Sequence, residues 1–213
     1  MPPRSDFAPT GVFLADAMPV VSMIAAAPVL VDMGRAGRTA DVWLFGAGFV
    51  IAVLYHVAIL DGQEGASLLG MSGEAWRTLD VGYVQYLVMR ALSYTLDVRS
   101  PALRAVSDVA LPAVLGGMAS MGMCLEMCGA TAGAAALVLL GQSRLEKGSV
   151  GRHSREDMRA VGWWAALGVA CFVAPAAMGW PRLYWLFHSL WHCVTAQAFR
   201  VLYRFEGGKP HGA

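Results

Sequence analysis

Two histidines near the end of the chain have a spacing that suits the chelation of one metal ion. His188 and His192, in the segment FHSLWHCV, are four residues apart. On a helix, residues at this spacing lie one turn apart on the same face, so both imidazoles can reach one point. His56, in VLYHVAILDG, also lies inside an apolar segment. These residues predict a three-imidazole metal site if the fold brings His56 to the same depth.

Three neutral imidazoles with a fourth position open to water form a usual catalytic zinc site, because the metal acidifies its bound water. Asp80, in RTLDVGYVQY, is the candidate carboxylate to orient or deprotonate that water, and Asp61 is its rival. Ser189 follows His188 directly and is a candidate supporting hydroxyl. Two alternatives stay open: the histidines only make hydrogen bonds between helices, and Asp80 only caps a helix at an interface.

The elements that must position these residues are transmembrane helices. The chain is 57% hydrophobic and only 15% charged over 213 residues, which is too apolar for an ordinary soluble domain. A helix of about 20 residues crosses the hydrocarbon and satisfies its own backbone groups. We therefore predict an all-α, single-domain membrane bundle over residues 1–213. Its seven predicted transmembrane helices cover 11–33, 41–60, 79–96, 103–120, 124–141, 160–179 and 182–203.

The basic residues predict the orientation of this bundle. Most fall in the first, third and fifth connections and in the C-terminal tail: Arg35, Arg38, Arg99, Arg104, Arg144, Lys147, Arg152, Arg155, Arg159, Arg204 and Lys209. The positive-inside rule makes these segments cytoplasmic and the N-terminus extracellular or lumenal. His56 then ends the second span near the outer face, where the last span begins with His188 and His192. Arg90 lies within the third predicted span, where an ionisable residue indicates a buried pair or a function.

Composition also narrows the classes of partner. The formal net charge is +1 and no continuous basic stripe is present, so we expect no nucleic-acid partner. The expected partner is a membrane lipid substrate. Neither a G-x-S-x-G motif nor a phosphate-binding loop occurs in the sequence, which disfavours a serine hydrolase or a nucleotide-binding protein. A transporter that uses Arg90 and the histidines as a relay is a further, weaker alternative.

Several of these residues together resemble a known family. The chain has the pair Tyr55 and His56 at the end of the second predicted span, Asp80 at the start of the third and the motif HSLWH from His188 to His192. This pattern resembles the CREST superfamily of seven-helix membrane hydrolases and is most similar to its transmembrane protein 8 family. The likeness covers the chain from about residue 40 onward.

The resemblance implies an activity and a set of ligands. It implies Zn²⁺ bound by His56, His188 and His192, with Asp80 near the bound water. It also implies hydrolysis of an ester or amide bond in a membrane lipid, as in the post-GPI-attachment phospholipase of the transmembrane protein 8 family.

One position departs from the family pattern. The superfamily usually has a serine four residues before the second-helix histidine, and this chain has Ala52 there. Loss of one hydrogen-bond donor to a developing oxyanion can lower the rate by a factor of about 10² to 10³. Ser189 and Ser93 are candidate replacements. The alternative expectation is a receptor-like or scaffold protein that has lost catalysis and keeps a structural zinc.

Overall fold

The computed structural model describes residues 10–60, 67–95, 109–121 and 153–204, together with positions 105, 123, 129, 131 and 133. Within these residues the chain is almost entirely helical, which confirms the all-α prediction. The helices are α1 (Phe13–Ser22), α2 (Ala27–Arg35), α3 (Thr39–Leu60), α4 (Gly73–Thr95), α5 (Leu111–Ser120), α6 (Arg155–Ala177) and α7 (Tyr184–Tyr203). Short 3-10 turns cover Met23–Ala26 and Pro181–Leu183.

Three helical stretches in the described part of the chain are long and apolar enough to cross a membrane. They are Phe13–Arg35, Thr39–Leu60 and Glu156–Pro175. Only 17%, 22% and 17% of their most apolar windows are buried, so most of their side chains face outward. Trp43 and Trp163, for example, are 75% and 69% exposed. Outward apolar surface on this scale indicates a membrane protein, because only lipid solvates it without cost.

The other predicted spans agree with the structure to different degrees. Helices α4 and α7 have 23 and 20 residues but are more polar than the three stretches described above. Helix α4 begins at Gly73, before the predicted 79, because its first turns carry Glu74 and Arg77 and so lack an apolar pattern. The fourth predicted span is described only in part, as α5, and nearly all of the fifth, 124–141, lies outside the described residues. A count of seven spans therefore stays a prediction.

The first predicted span is one stretch broken in its middle. Pro28 stands at the start of α2, and a proline cannot donate the helical bond to the carbonyl four residues before it. The chain tightens into the 3-10 turn Met23–Ala26 there, and the N–H of Ala27 bonds to the oxygen of Ile24. At the end of α1 the N–H of Met23 likewise bonds to the oxygen of Val20 instead of that of Pro19. The carbonyl of Pro19 is therefore left available to another donor.

This broken first stretch packs between two other helices. Helix α1 and the turn after it contact both α3 and α7. Helix α3 packs along α4, and α7 packs along α6. A hydrophobic core forms where α2, α3, α4 and α7 meet, and its buried members are Val29, Met33, Phe45, Leu87, Ala91, Ala196, Leu202 and Tyr203. This packing places the first helix beside the face of α7 that carries the histidines.

A small hairpin that the sequence did not predict lies between α3 and α4. Strand β1 (Ser67–Leu68) pairs antiparallel with β2 (Met71–Ser72). The turn residues Leu69 and Gly70 have φ values of 54° and 78°, as a tight hairpin turn requires. The indole of Trp76 donates to the oxygen of Leu68 at 3.0 Å. The hairpin thereby covers a small apolar cluster that includes Tyr55, next to His56.

Candidate metal centre

The imidazoles of His56, His188 and His192 meet in the interior. The Nε2 atom of His56 lies 3.3 Å from Nε2 of His192 and 3.3 Å from Nε2 of His188. One ligand atom from each residue lies within 4.8 Å of the other two. Two nitrogens that bind zinc tetrahedrally at about 2.0–2.1 Å lie about 3.3–3.4 Å apart. The observed spacing is thus that of ligands around one cation.

Hydrogen bonds among the three rings cannot account for this convergence. A neutral imidazole nitrogen has either one proton to donate or one lone pair to accept with. Nε2 of His56 faces two other Nε2 atoms at the same distance, so it can satisfy only one of them well. A single cation between the rings uses all three lone pairs at once. The prediction that these histidines form a possible metal site is therefore confirmed, whereas the identity of the metal stays a prediction.

Burial and aromatic packing hold the three rings in place. His56, His188 and His192 are 1%, 5% and 8% exposed, respectively. Tyr184 stacks on His188 with centroids 4.7 Å apart, and Tyr55 lies 4.8 Å from the ring of His56. His56 comes from the last turns of α3, and the other two come from the early turns of α7. The site therefore joins the end of one helix to the beginning of another.

His192 has a second hydrogen-bond partner from the first helix. Its Nδ1 lies 2.8 Å from Oγ of Ser22, and that hydroxyl donates to the oxygen of Pro19 at 2.8 Å. Ser22 is 7% exposed. Among the described residues no corresponding partner reaches the buried Nδ1 of His56. His192 is thus oriented by a hydrogen bond to a residue outside the histidine cluster.

The predicted carboxylate, Asp80, lies inside α4 instead of at its start. It is seven residues beyond Gly73, where the helix begins, and 6% exposed. A helix cap stands at the first turn, so the capping alternative does not describe it. Within the described residues the Asp80 carboxyl makes no hydrogen bond or ion pair that would occupy it. It is a buried acid without a neutralising neighbour.

Asp80 and His192 line the same internal cavity of about 100 Å³. The remaining lining is almost wholly apolar: Met23, Ala26, Val29, Leu30, Phe45, Gly48, Phe49, Ala52, Val84, Leu87, Trp191, Ala196 and Phe199, with only Ser22 and Thr195 adding hydroxyls. Gly48, Ala52 and His56 follow one another at four-residue spacing, so they share one face of α3. The metal site therefore borders an apolar space whose α3 wall combines the small residues Gly48 and Ala52 with Phe45 and Phe49.

The other predicted residues are placed as follows. The hydroxyl of Ser189 donates to the oxygen of Trp185 in its own helix at 2.6 Å, so the structure shows it bonded to the backbone. Ser93 lies 13 residues beyond Asp80 on α4, about 20 Å along the helix axis. Asp61 lies outside the described residues.

Ser22, the residue that does contact a histidine, was not predicted, although it is the one hydroxyl between Gly11 and Met33.

Arg90, for which the sequence indicated no partner, pairs with Asp41 near the start of α3. Its Nε lies 3.0 Å from Oδ1 of Asp41. Arg38 pairs with the other oxygen of the same carboxylate and lies over the ring of Tyr94 at 3.8 Å. Tyr94 in turn stacks on Tyr203 with centroids 4.7 Å apart. We call these five residues the arginine–aspartate cluster, which lies at the opposite end of α3 from the histidines.

No protein-family model matches this chain, and no curated protein matches it either.

Proposed function

We propose that this chain is a zinc-dependent intramembrane hydrolase that cleaves an ester or amide bond of a membrane lipid. The meeting of three Nε2 atoms, with that of His56 3.3 Å from each of the other two, is the observation that carries the proposal. Three imidazoles are a usual ligand set for catalytic zinc, and zinc bound in this way acidifies a water and polarises a carbonyl. The family resemblance of the sequence supports the same reaction class.

The residues of the chain have separate roles in this proposal. His56, His188 and His192 hold the metal. Asp80 lines the cavity that His192 also lines, and its carboxyl accepts the proton from the attacking water and returns it to the leaving group. Because Asp80 is buried and makes no ion pair within the described residues, its carboxyl is available for proton transfer.

The cavity supports a lipid as the substrate. Its lining is largely apolar, so a short part of a hydrocarbon chain can occupy it while the polar bond to be cleaved lies at the histidines. Binding of the chain supplies the orientation on which the reaction depends. In the proposed topology the histidine end of the bundle faces the outside or the lumen, and seven helices complete the bundle.

The proposal is tested first by the metal. The full chain is purified in detergent, and bound zinc is measured for wild type, His188→Ala and the matched control His153→Ala, which changes a histidine outside the cluster. We expect stoichiometric zinc in wild type and in the control, and background zinc in His188→Ala. Equal zinc in all three proteins would show that the cluster is not the metal site.

Turnover is tested next with a panel of phospholipids, ceramides and GPI lipids. Release of fatty acid by the wild type, lost in His188→Ala and retained in His153→Ala, is the expected result. A zinc-loaded chain that releases nothing from any of these lipids contradicts the hydrolase proposal.

A receptor-like or scaffold protein with a structural zinc is the second candidate, and Ala52 favours it. Ala52 lines the cavity four residues before His56, where the superfamily that the chain resembles has a serine. Without that hydroxyl, one donor to a developing oxyanion is missing. If wild type holds zinc but has no hydrolase activity, and Ala52→Ser produces activity, this second function is the correct one.

A further inference from the structure

We infer that Ser22 is a positioning residue of the metal centre. The broken first helix therefore contributes to the site by orienting a metal ligand. The inference rests on the proposed function, because it concerns the histidines that would hold the zinc. It adds a residue from a third helix to a site whose ligands come from α3 and α7.

The direction of the two hydrogen bonds of Ser22 carries the argument. A hydroxyl has one proton, and the oxygen of Pro19, 2.8 Å away, can only accept it. Oγ of Ser22 must then act as the acceptor toward Nδ1 of His192, which lies 2.8 Å from it. Nδ1 of His192 therefore carries the proton and donates it.

This arrangement decides which tautomer His192 adopts. A neutral imidazole with its proton on Nδ1 has its lone pair on Nε2. Nε2 is the atom that lies 3.3 Å from Nε2 of His56. Ser22 thus directs the lone pair of His192 toward the point where a cation would bind. Partners of this kind also hold the plane of the ligand ring.

The break in the first helix explains why the hydroxyl is oriented this way. In an unbroken helix the N–H of Met23 would bond to the oxygen of Pro19. Here it bonds to the oxygen of Val20, and the hydroxyl of Ser22 takes its place on the Pro19 carbonyl. The break thus leaves the Pro19 carbonyl without the N–H of Met23, and the hydroxyl of Ser22 is its donor.

Zinc affinity of three variants tests the inference. Ser22→Ala removes the hydroxyl that Nδ1 of His192 contacts at 2.8 Å. Loss of such a partner typically lowers metal affinity about 10- to 100-fold, and we expect a loss of that size by competition with a fluorescent chelator. Ser22→Thr keeps the hydroxyl and should bind nearly as wild type does, whereas Ser22→Val, of the same shape, should bind as Ser22→Ala does.

A matched control separates this role from general helix stability. Ser120 makes the same bond three residues back along its helix, to the oxygen of Gly117 at 2.8 Å, without reaching a histidine in the described part of the chain. Ser120→Ala should leave zinc affinity unchanged. The visible spectrum of the Co²⁺-loaded protein provides a readout of ligand geometry, and it should change in Ser22→Ala but not in Ser120→Ala.

The outcomes distinguish the inference from the proposed function. If wild type binds zinc and Ser22→Ala binds it equally well, the inference is wrong and the metal site stands. If Ser22→Ala does not fold, the pair Ser22→Thr and Ser22→Val decides the question, because equal affinity in these two overturns the inference. If wild type binds no zinc, the inference and the proposed function fail together.

Discussion

Helix α3 carries a buried polar cluster near each end, and the two clusters differ in how their carboxylates are paired. Near its start, the carboxylate of Asp41 is 2% exposed and bonds to two arginines, one on each oxygen. Near its end, His56 faces two other imidazoles, and the adjoining cavity is lined by Asp80, whose carboxyl makes no ion pair with any residue that the structure describes. In the first cluster the carboxylate is paired with arginines. In the second, three imidazole nitrogens lie close together around one position.

This difference indicates which cluster has a structural role and which awaits a ligand. A buried charge without a partner costs much free energy, so proteins pair such charges where they serve only the fold. The arginine–aspartate cluster follows that rule and connects α3 to α4. The carboxyl of Asp80 at the other end departs from it among the described residues, and residues that break such rules concentrate at functional sites. Substitutions at the histidine end of α3 should therefore affect activity, and substitutions at the Asp41 end should affect stability.

The largest effect is expected from Asp80, which lines the same cavity as His192. Asp80→Asn keeps the shape of the side chain but cannot accept a proton, so lipid hydrolysis should fall by about 10² to 10⁴-fold. Bound zinc should stay at the wild-type level, because Asp80 is not a ligand in the proposed site. Asp32→Asn, which changes a carboxylate that pairs with Arg200, serves as the control. Equal rates for wild type and Asp80→Asn would remove Asp80 from the reaction.

At the other end the effect should fall on stability. Asp41→Asn leaves two arginines without their shared carboxylate, and removal of one partner from a buried pair costs about 3–5 kcal/mol. Thermal or denaturant unfolding in detergent measures this loss. Glu74→Gln, in an exposed pair whose carboxylate is 61% exposed, should cost only about 0–1 kcal/mol. A stable Asp41→Asn protein that has lost its zinc would reverse the assignment of the two clusters.

Removal of the metal should have an intermediate effect on stability. A ligand present at about 100 times its dissociation constant stabilises the folded state by about 2.7 kcal/mol, so a chelator should lower the melting temperature of wild type. Asp41→Asn should lose a similar amount on chelation, because its metal site is intact. His56→Ala should show no chelator effect, and a shift as large as that of wild type would contradict the metal site.

The smallest effect is expected where α3 and α4 come closest. A Cβ atom added at Gly48 would lie 2.8 Å from Cδ1 of Leu87 and 3.0 Å from Cδ1 of Tyr83. Both neighbours are side chains, so Gly48→Ala should destabilise by about 1–3 kcal/mol, as overpacking typically does. Gly46→Ala meets nothing within 4 Å and is the control. If the two variants unfold at the same temperature, the close approach of α3 and α4 at this point is not required.

The regular geometry of helices explains what the sequence predicted well. That His56, His188 and His192 would meet was predicted from the basic residues in the connections and from the fixed rise of a helix, without any knowledge of their contacts. The spacing of four residues placed two ligands on one face. The possible metal site could therefore be predicted before any tertiary contact was known.

The partners of these residues depend on contacts that no local pattern contains. Arg90 and Asp41 are 49 residues apart, and each is a plausible partner for other charges. The contact of Ser22 with His192 spans 170 residues and requires the break at Met23–Ala26. Proline positions in the sequence indicate a possible break, but neither its 3-10 form nor the neighbour it faces could be derived from them.

The stripe of small residues on α3 also limits how deep a ligand can lie. The cavity lining continues along this helix from the metal site through Ala52 and Gly48 to Phe45. The 11 residues from Phe45 to His56 rise by about 16 Å, roughly half of the ~30 Å hydrocarbon thickness. Under the proposed function, a lipid held there would belong to a single leaflet, so its continued supply would depend on lipids that cross from the opposite leaflet or arrive within the same one.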